Sequence, residues 1–201
     1  MTTGAAPEAP VGTTGATTDV LVAGTAGGVG TTTVTALLFS ALSEDPAGPP
    51  LLLDHSAGDL GLRLPSGDDV RQVNRGVALH DLGPHADVAV ARLADRHTLV
   101  ILVAPATPAG CAALDRLLAP HDGQPRLQRI LVVVAGVFGR HRITTELSSL
   151  GLRVGVRSVV RLPRDLALAA GGRIPTVQLS AATVRAQSQL TTVLQERLRA
   201  L

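Results

Sequence analysis

The sequence contains no lysine, no tryptophan and no tyrosine, and phenylalanine occurs only twice. All 18 basic residues are therefore arginines, so no lysine side chain is available anywhere in the chain to neutralise a bound anion. Proteins that bind single-stranded nucleic acids stack the bases on aromatic side chains, and so few aromatic residues cannot form such a platform. Binding of single-stranded nucleic acid by stacking its bases on aromatic side chains is therefore excluded.

Cysteine and long apolar runs are also scarce. The single cysteine, Cys111, cannot form a disulfide within the chain, which favours a cytoplasmic location. No apolar run approaches the ~20 residues that cross a membrane, so we do not expect a membrane partner.

Residues 1–18 lack the basic and leucine-rich parts of a signal peptide and are expected to form a disordered leader. Residues 19–201 are long enough for a single domain with its own core.

Charge is distributed unevenly along the chain. Residues 1–125 carry 6 arginines and 13 acidic residues, whereas residues 126–201 carry 12 arginines and 3 acidic residues. A basic half indicates either a solvated surface or contact with an anionic partner, such as DNA phosphates bound without sequence preference. The arginines in question include Arg140, Arg142, Arg153, Arg157, Arg161, Arg164 and Arg173. The six histidines show no metal-binding spacing, so the only metal expected is one carried by a nucleotide.

Short apolar runs alternate with helical patterns along the chain. Strands are predicted at residues 20–23, 51–53, 77–80, 98–103, 130–134 and 156–160. Helices are predicted at about 34–42, 87–96, 110–118, 143–150 (closed by Gly151), 166–170 and 181–201. This alternation predicts an α/β fold of three layers, in which a mostly parallel sheet carries helices on both faces.

The stretch from Asp19 to Thr35 is the strongest functional motif. A buried strand breaks into four glycines within seven residues and then enters a helix. Backbone N–H groups of such a loop and the N-terminus of the helix converge on one anion, as in phosphate-binding loops. The residues expected to bind a cofactor here are Gly27, Gly28, Val29, Gly30, Thr31, Thr32 and Thr33. The P-loop pattern places lysine after the last glycine, where this chain has Thr31.

Two aspartates come after this loop in the chain, each at the end of a predicted strand. Asp54 ends the second strand and Asp81 ends the third. Ligands of parallel α/β sheets bind at the carboxyl ends of the strands, so both carboxylates and the glycine loop are expected at one edge. Each aspartate alone is also consistent with a cap of the following turn.

The segment GGVGTTT resembles the loop of the ParA/MinD family of deviant Walker A ATPases, which form a branch of the SIMIBI P-loop proteins and carry the pattern KGGVGKTT. The signature lysine of that family is replaced by Ala26 and its P-loop lysine by Thr31. Three further segments are similar to the family: residues 51–64 to its second strand, 80–84 to its Walker B region and 162–172 to its base-contacting loop. The resemblance covers residues 19–175 and implies a P-loop NTPase-like fold.

The resemblance implies a role for individual residues. Thr32 would hold Mg²⁺ of bound ATP or ADP, with Asp81 behind the metal, and Asp54 would help position the attacking water. Pro163 and Asp165 lie in the segment that would contact the base. Because both lysines are missing and Ala135-Gly136 replaces an expected asparagine, the resemblance implies a degenerate site with little or no hydrolysis. Members of the CpaE/TadZ group, which also lack the P-loop lysine, are similar in this respect.

The function implied is that of a positioning, partitioning or scaffold component with a protein partner, either a second copy or another pathway component. Arg140 or Arg142 is a candidate substitute for the missing lysine. The last predicted helix has a leucine stripe (Leu190, Leu194, Leu198 and Leu201), for which packing against the sheet or a partner is favoured over membrane binding.

Two other interpretations remain open. The loop also resembles the dinucleotide loop of short-chain dehydrogenases, with Asp54 on a ribose hydroxyl, although their catalytic Tyr-x-x-x-Lys cannot exist in this chain. The protein would then be a non-catalytic NAD(P)-binding Rossmann module. The other interpretation is a scaffold whose former ligand face serves only protein contacts.

Overall fold

A computed structural model describes residues 17–56, 60–64, 74–137 and 144–201 of the chain. These residues form one six-stranded sheet in which every neighbouring pair of strands is parallel, in the order β2-β3-β1-β4-β5-β6. The strands are β1 (Thr18–Gly24), β2 (Pro50–Asp54), β3 (Asn74–Asp81), β4 (Thr98–Pro105), β5 (Ile130–Val137) and β6 (Val159–Pro163).

Helices connect the strands and cover both faces of the sheet. They are α1 (Thr31–Leu42), α2 (Leu60–Arg63), α3 (Ala86–Ala91), α4 (Pro108–Leu118), α5 (Thr144–Val154), α6 (Leu166–Ala169) and α7 (Ala181–Leu198). Short 3₁₀ turns lie at Arg92–Ala94, Ala119–His121, Pro125–Arg129, Val156–Ser158 and Thr176–Gln178.

The sheet separates two hydrophobic cores. Successive side chains of a strand point to opposite faces, so Val20 and Val22 of β1 enter one core while Leu21 and Ala23 enter the other. Helices α1, α2, α6 and α7 close the first core, and α3, α4 and α5 close the second. Every residue of β4 before Pro105 is buried, as expected for a central parallel strand. The predicted three-layer α/β fold is confirmed.

Several predicted boundaries differ from the structure, most clearly around Gly151. The predicted end of a helix at Gly151 is wrong, because α5 continues to Val154 and ends before Gly155, whose φ is 97°. A Cβ on Gly151 would lie 3.3 Å from the Cα of Val156, so this glycine lets the helix pack closely on the following turn. Because residues 156–158 form that turn, β6 begins at residue 159 and not at residue 156.

The last helix packs on the first core through its predicted leucine stripe. Leu190 and Leu194 are buried, and Leu198 packs against the core from the last turn of the helix. The helix ends at Leu198, and Leu201 is 43% exposed. Among the described residues, no helix combines the length and the apolarity needed to cross a membrane.

Some predictions fall outside the described residues. They include most of the predicted leader, because the described part of the chain begins at residue 17. The candidate substitutes Arg140 and Arg142 also lie outside it. These remain predictions.

Candidate functional site

The glycine loop sits where the ends of three strands meet. The backbone N–H of Gly24 donates to the carbonyl of Gly83 after β3 at 2.7 Å, and that of Thr25 donates to Val103 of β4 at 2.9 Å. A Cβ on Gly24 would lie 2.5 Å from the Oγ1 of Thr31 and 2.7 Å from a methyl carbon of Val29. No side chain fits at Gly24, so the loop is tied closely to the start of α1.

The N-terminus of α1 is open to a ligand. Its N-cap is Gly30, with a φ of 95° that favours glycine, and no side chain caps the helix. The first N–H groups of a helix have no partner inside the helix, and those of this 12-residue helix are left for an anion.

A cleft of about 320 Å³ lies against this helix start. It is lined by Ala26, Gly27, Gly28, Gly30, Thr31, Thr32, Thr33, Ser56, Arg63, Gly83 and Pro84. Six of the seven cofactor-binding residues predicted in the loop therefore line one cleft. The seventh, Val29, packs its side chain against the first core.

Asp81 is fully buried beside the cleft at the end of β3. Its Oδ1 accepts a hydrogen bond from the N–H of Gly83 at 2.9 Å, whereas its buried Oδ2 has no hydrogen-bond partner. Burial raises the pKa of this carboxyl group; the Gly83 N–H and the nearby hydroxyls of Thr32 and Ser56 act in the opposite direction. A buried carboxylate oxygen without a partner needs a proton, a water or a cation to satisfy it.

Asp54 lies next to Asp81 in the register of β2 and β3, but it is exposed. Its Oδ1 accepts hydrogen bonds from the backbone N–H of Ser56 at 2.9 Å and from the hydroxyl of Ser56 at 2.7 Å. This is the turn-capping arrangement expected of an aspartate after a strand. Its partner Ser56 lines the cleft, and the role of Asp54 in positioning water remains a prediction.

Asp165 and Pro163 are not among the residues that line the cleft, and their contact with a base remains a prediction. The buried carboxylate of Asp165 caps α6 through the N–H of Ala167 at 3.0 Å. It also binds the start of α7 through the N–H of Ser180 at 2.9 Å and the hydroxyl of Thr183 at 2.6 Å. These hydrogen bonds, led by the one from Thr183, lower the pKa of Asp165 to about 2. Both carboxylate oxygens thus join α6 to α7.

Replacing Asp165 with asparagine is expected to lower the free energy of unfolding at neutral pH by about 2 kcal/mol, because charge-assisted bonds to two helices are lost. The folded-state pKa lies below the unfolded value, so this stability is present above pH ~4 and is lost as the pH falls towards about 2. Urea unfolding from pH ~6 to pH ~2 measures it. The exposed Asp87→Asn variant is the control, with an expected change below about 0.5 kcal/mol. Parallel pH profiles for the wild type and Asp165→Asn would contradict the prediction.

Sequence reasoning missed Arg63, which is the only basic residue among those lining the cleft in the described part of the chain. Its half-buried guanidinium donates to the carbonyl of Leu168 at 3.3 Å, and its own carbonyl accepts from the N–H of Ile174 at 3.2 Å. It forms no ion pair with an acidic residue among the described residues. The only available signal was its place at the end of the segment resembling the second strand of the family.

The residues of the cleft fit a phosphate and a nucleotide-bound Mg²⁺. The loop and α1 provide N–H groups, Thr32 provides a hydroxyl, and Asp81 provides the unsatisfied oxygen that a hydrated Mg²⁺ would satisfy. The described residues contain no cluster of three or more histidine, cysteine or acidic side chains that could hold a metal by itself. A metal at this site therefore depends on phosphate ligands.

The chain matches no protein-family model and no curated protein, but it is similar to solved structures. A ParA family ATPase from Chlorobium tepidum TLS superposes with a TM-score of 0.57 at 19% identity, covering 92% of this chain and 100% of the other. A putative plasmid partition protein from Borrelia burgdorferi B31, bound to AMPPNP, superposes with a TM-score of 0.58 at 12% identity, covering 90% of this chain and 99% of the other. Apo McdA from Cyanthece superposes with a TM-score of 0.57 at 12% identity, covering 89% of this chain and 100% of the other. At these identities, the comparison establishes that the chain has the fold of ParA family ATPases.

The strand order gives the dinucleotide-binding alternative no support. In a Rossmann fold β2 lies beside β1, whereas here β3 separates them and β2 forms the edge of the sheet. Asp54 therefore does not follow the strand next to β1, where a ribose-binding acid would lie.

Proposed function

We propose that this protein binds ATP or ADP with Mg²⁺ in the cleft beside the glycine loop and hydrolyses ATP slowly or not at all. It would act in the cytoplasm as a positioning, partitioning or scaffold component. The observation that carries the proposal is that an uncapped helix start and Arg63, which has no ion pair among the described residues, line one cleft beside the unpartnered oxygen of Asp81. The similar structures include one described as a partition protein bound to AMPPNP, which supports an adenine nucleotide.

Each part of the cleft has a role towards the phosphates. Loop and helix N–H groups would bind phosphate oxygens, and Arg63 would supply the positive charge that lysine supplies in a standard P-loop. Thr32 and Asp81 would hold the Mg²⁺, the latter through its water. Bound Mg²⁺ would neutralise charge on the phosphates.

The same cleft argues against efficient hydrolysis. Phosphoryl transfer depends on positioning and on neutralising charge that develops in the transition state. Ala26 and Thr31 occupy the positions of the two family lysines, and neither side chain is charged. Loss of one such group typically costs ~10² to 10³ in rate. The site is therefore proposed as a nucleotide-binding pseudo-ATPase.

Partners are expected to be proteins, either a second copy or another component of the same pathway. In the family that the loop resembles, the signature lysine reaches the phosphates of the partner subunit, which Ala26 cannot do. Any dimer would thus form through other contacts. Non-specific DNA is a second proposed partner for the basic half, whose exposed arginines include Arg173 and Arg199.

Calorimetric titration of ATP and ADP with Mg²⁺ tests the proposal. We expect micromolar binding that is lost in Gly27→Leu, because the leucine side chain would occupy the cleft that Gly27 lines. The fold should tolerate this change, since a Cβ on Gly27 meets no protein atom within 4 Å. Gly61→Leu is the matched control, since it also meets open space but does not line the cleft. No binding up to ~1 mM ATP would contradict nucleotide binding, because a Kd in this range is worth only about 4 kcal/mol. NAD(P) would then be titrated.

Hydrolysis is expected to be very slow in the wild-type protein. Release of inorganic phosphate under saturating ATP and Mg²⁺ measures it. A turnover in the range of about 1 s⁻¹ or more, typical of working phosphoryl-transfer enzymes, would rule out the pseudo-ATPase assignment.

A further inference from the structure

A second groove, of about 680 Å³, lies at the edge of the sheet far from β2. The strand order ends at β6, so among the described strands β6 pairs on one side only, with β5. Helix α5 belongs to one core and α7 to the other, so the two helices flank this edge from opposite faces of the sheet. An edge strand presents unpaired N–H and C=O groups that can pair with another extended chain.

The walls of this edge groove include strongly exposed apolar side chains. Leu152 of α5 is 84% exposed and Val156, in the turn before β6, is 75% exposed. Gly151, which packs closely on Val156, also lines the groove and adds no side chain. Two large apolar side chains beside an open strand provide contacts for the side chains of an added strand.

The groove is also positively charged. Arg161 of β6 and Arg185 of α7 line it, and both are exposed; neither side chain has a hydrogen bond or ion pair with another described residue. None of the residues that line the groove is acidic. Other arginines of the basic half do have partners: Arg153 pairs with Asp115 and Asp122, and Arg157 pairs with Glu196. The positive charges of Arg161 and Arg185 therefore stay without an acidic partner among the described residues, unlike those of Arg153 and Arg157.

We propose that this edge groove is the docking site for an extended, acidic segment of a partner protein, which adds to β6 as a seventh strand. Main-chain hydrogen bonds to β6 would supply affinity, acidic side chains of the segment would pair with Arg161 and Arg185, and apolar side chains would pack against Leu152 and Val156. β6 has five residues, so the docked segment spans about 17 Å. A second copy pairing through its own β6 would oppose one Arg161 with another, and such like-charge pairs are unfavourable. The site is independent of the nucleotide cleft.

Fluorescence polarisation with synthetic peptides tests the proposal on the full chain. The probe is a labelled octapeptide of repeated Glu-Glu-Val-Val, which places both residue types on each face of a strand, and it is compared with one of repeated Arg-Arg-Val-Val. We expect the acidic probe to bind with a Kd of about 100 μM at low salt. Arg161→Glu with Arg185→Glu should weaken it about tenfold or more and confer binding of the basic probe. The control, Arg116→Glu with Arg199→Glu, makes the same change of net charge at exposed positions outside the groove and should leave binding unchanged.

A second probe tests strand pairing. N-methylation of alternate residues blocks the N–H groups along one edge of the acidic peptide, and methylation on the pairing edge should weaken binding about tenfold while the other edge tolerates it. No binding of the acidic probe at ~1 mM, equal loss in both charge variants or indifference to methylation on either edge would overturn the proposal. A gain in affinity when residues 2–16 are deleted would also overturn it, because the groove would then belong to a segment of this chain.

Discussion

Arg63→Ala is expected to weaken ATP binding by about tenfold to a hundredfold. A charge-assisted hydrogen bond to a phosphate is worth about 1.5–3 kcal/mol, and each 1.4 kcal/mol is a factor of about ten in Kd. Arg63 is the only basic side chain lining the described cleft, so no described neighbour can replace it. Arg63→Lys keeps the charge but loses the planar fork, and should recover part of the affinity. Calorimetry with ATP, ADP and AMP measures the change and shows which phosphate is contacted.

The control for this prediction separates phosphate binding from stability. Arg63 also donates to Leu168, so Arg63→Ala is expected to lower the free energy of unfolding by about 1 kcal/mol. Nucleotide affinity is therefore compared at a temperature where each variant is folded by circular dichroism, with the exposed Arg116→Ala as a matched arginine variant. Unchanged ATP affinity in Arg63→Ala would assign the compensating charge elsewhere, with Arg140 and Arg142 tested next.

The part of the site that could be predicted from the sequence is the part that is local in the chain. Strand β1, the glycine loop and α1 are consecutive, so the strand, the glycine turn and the helix start can be recognised from one continuous stretch of sequence. Asp81 could be placed because parallel strands bring their carboxyl ends to one edge whatever their order. The fold class followed from the alternation of strands and helices, and the structure confirms it.

The parts that could not be predicted depend on contacts between distant segments. Arg63 lines the cleft because α2 packs near α6, and the chain between Arg63 and its hydrogen-bond partner Leu168 is over 100 residues long. The link that the carboxylate of Asp165 makes between α6 and α7, through Ser180 and Thr183, joins segments 15 and 18 residues apart, while its contact with a base stays a prediction. The sequence predicts a helix end at Gly151, because glycine commonly ends helices. Its actual role, close packing on Val156, is visible only in three dimensions.

Thr31→Lys is expected to tighten ATP binding by about tenfold to a hundredfold, which makes it the largest gain predicted for a single substitution. Thr31 is the first residue of α1 and lines the cleft, so a lysine there extends from the helix start towards the phosphates. It restores one of the two charges missing for phosphoryl transfer, and phosphate release should rise by at least about tenfold. Thr31→Met has a similar length and no charge, and should leave affinity within about threefold of the wild type.

The double variant Thr31→Lys with Arg63→Ala decides whether Arg63 stands in for the missing lysine. If both cations act on the same phosphate charge, the gain from Thr31→Lys will be larger in the Arg63→Ala background than in the wild type, because groups that share one partner are not additive. We expect a coupling of about 1 kcal/mol or more between the two positions in calorimetric titrations with ATP. Additive effects would show that the lysine introduced at position 31 and Arg63 contact different phosphates. In that case no basic residue of the described cleft replaces the P-loop lysine.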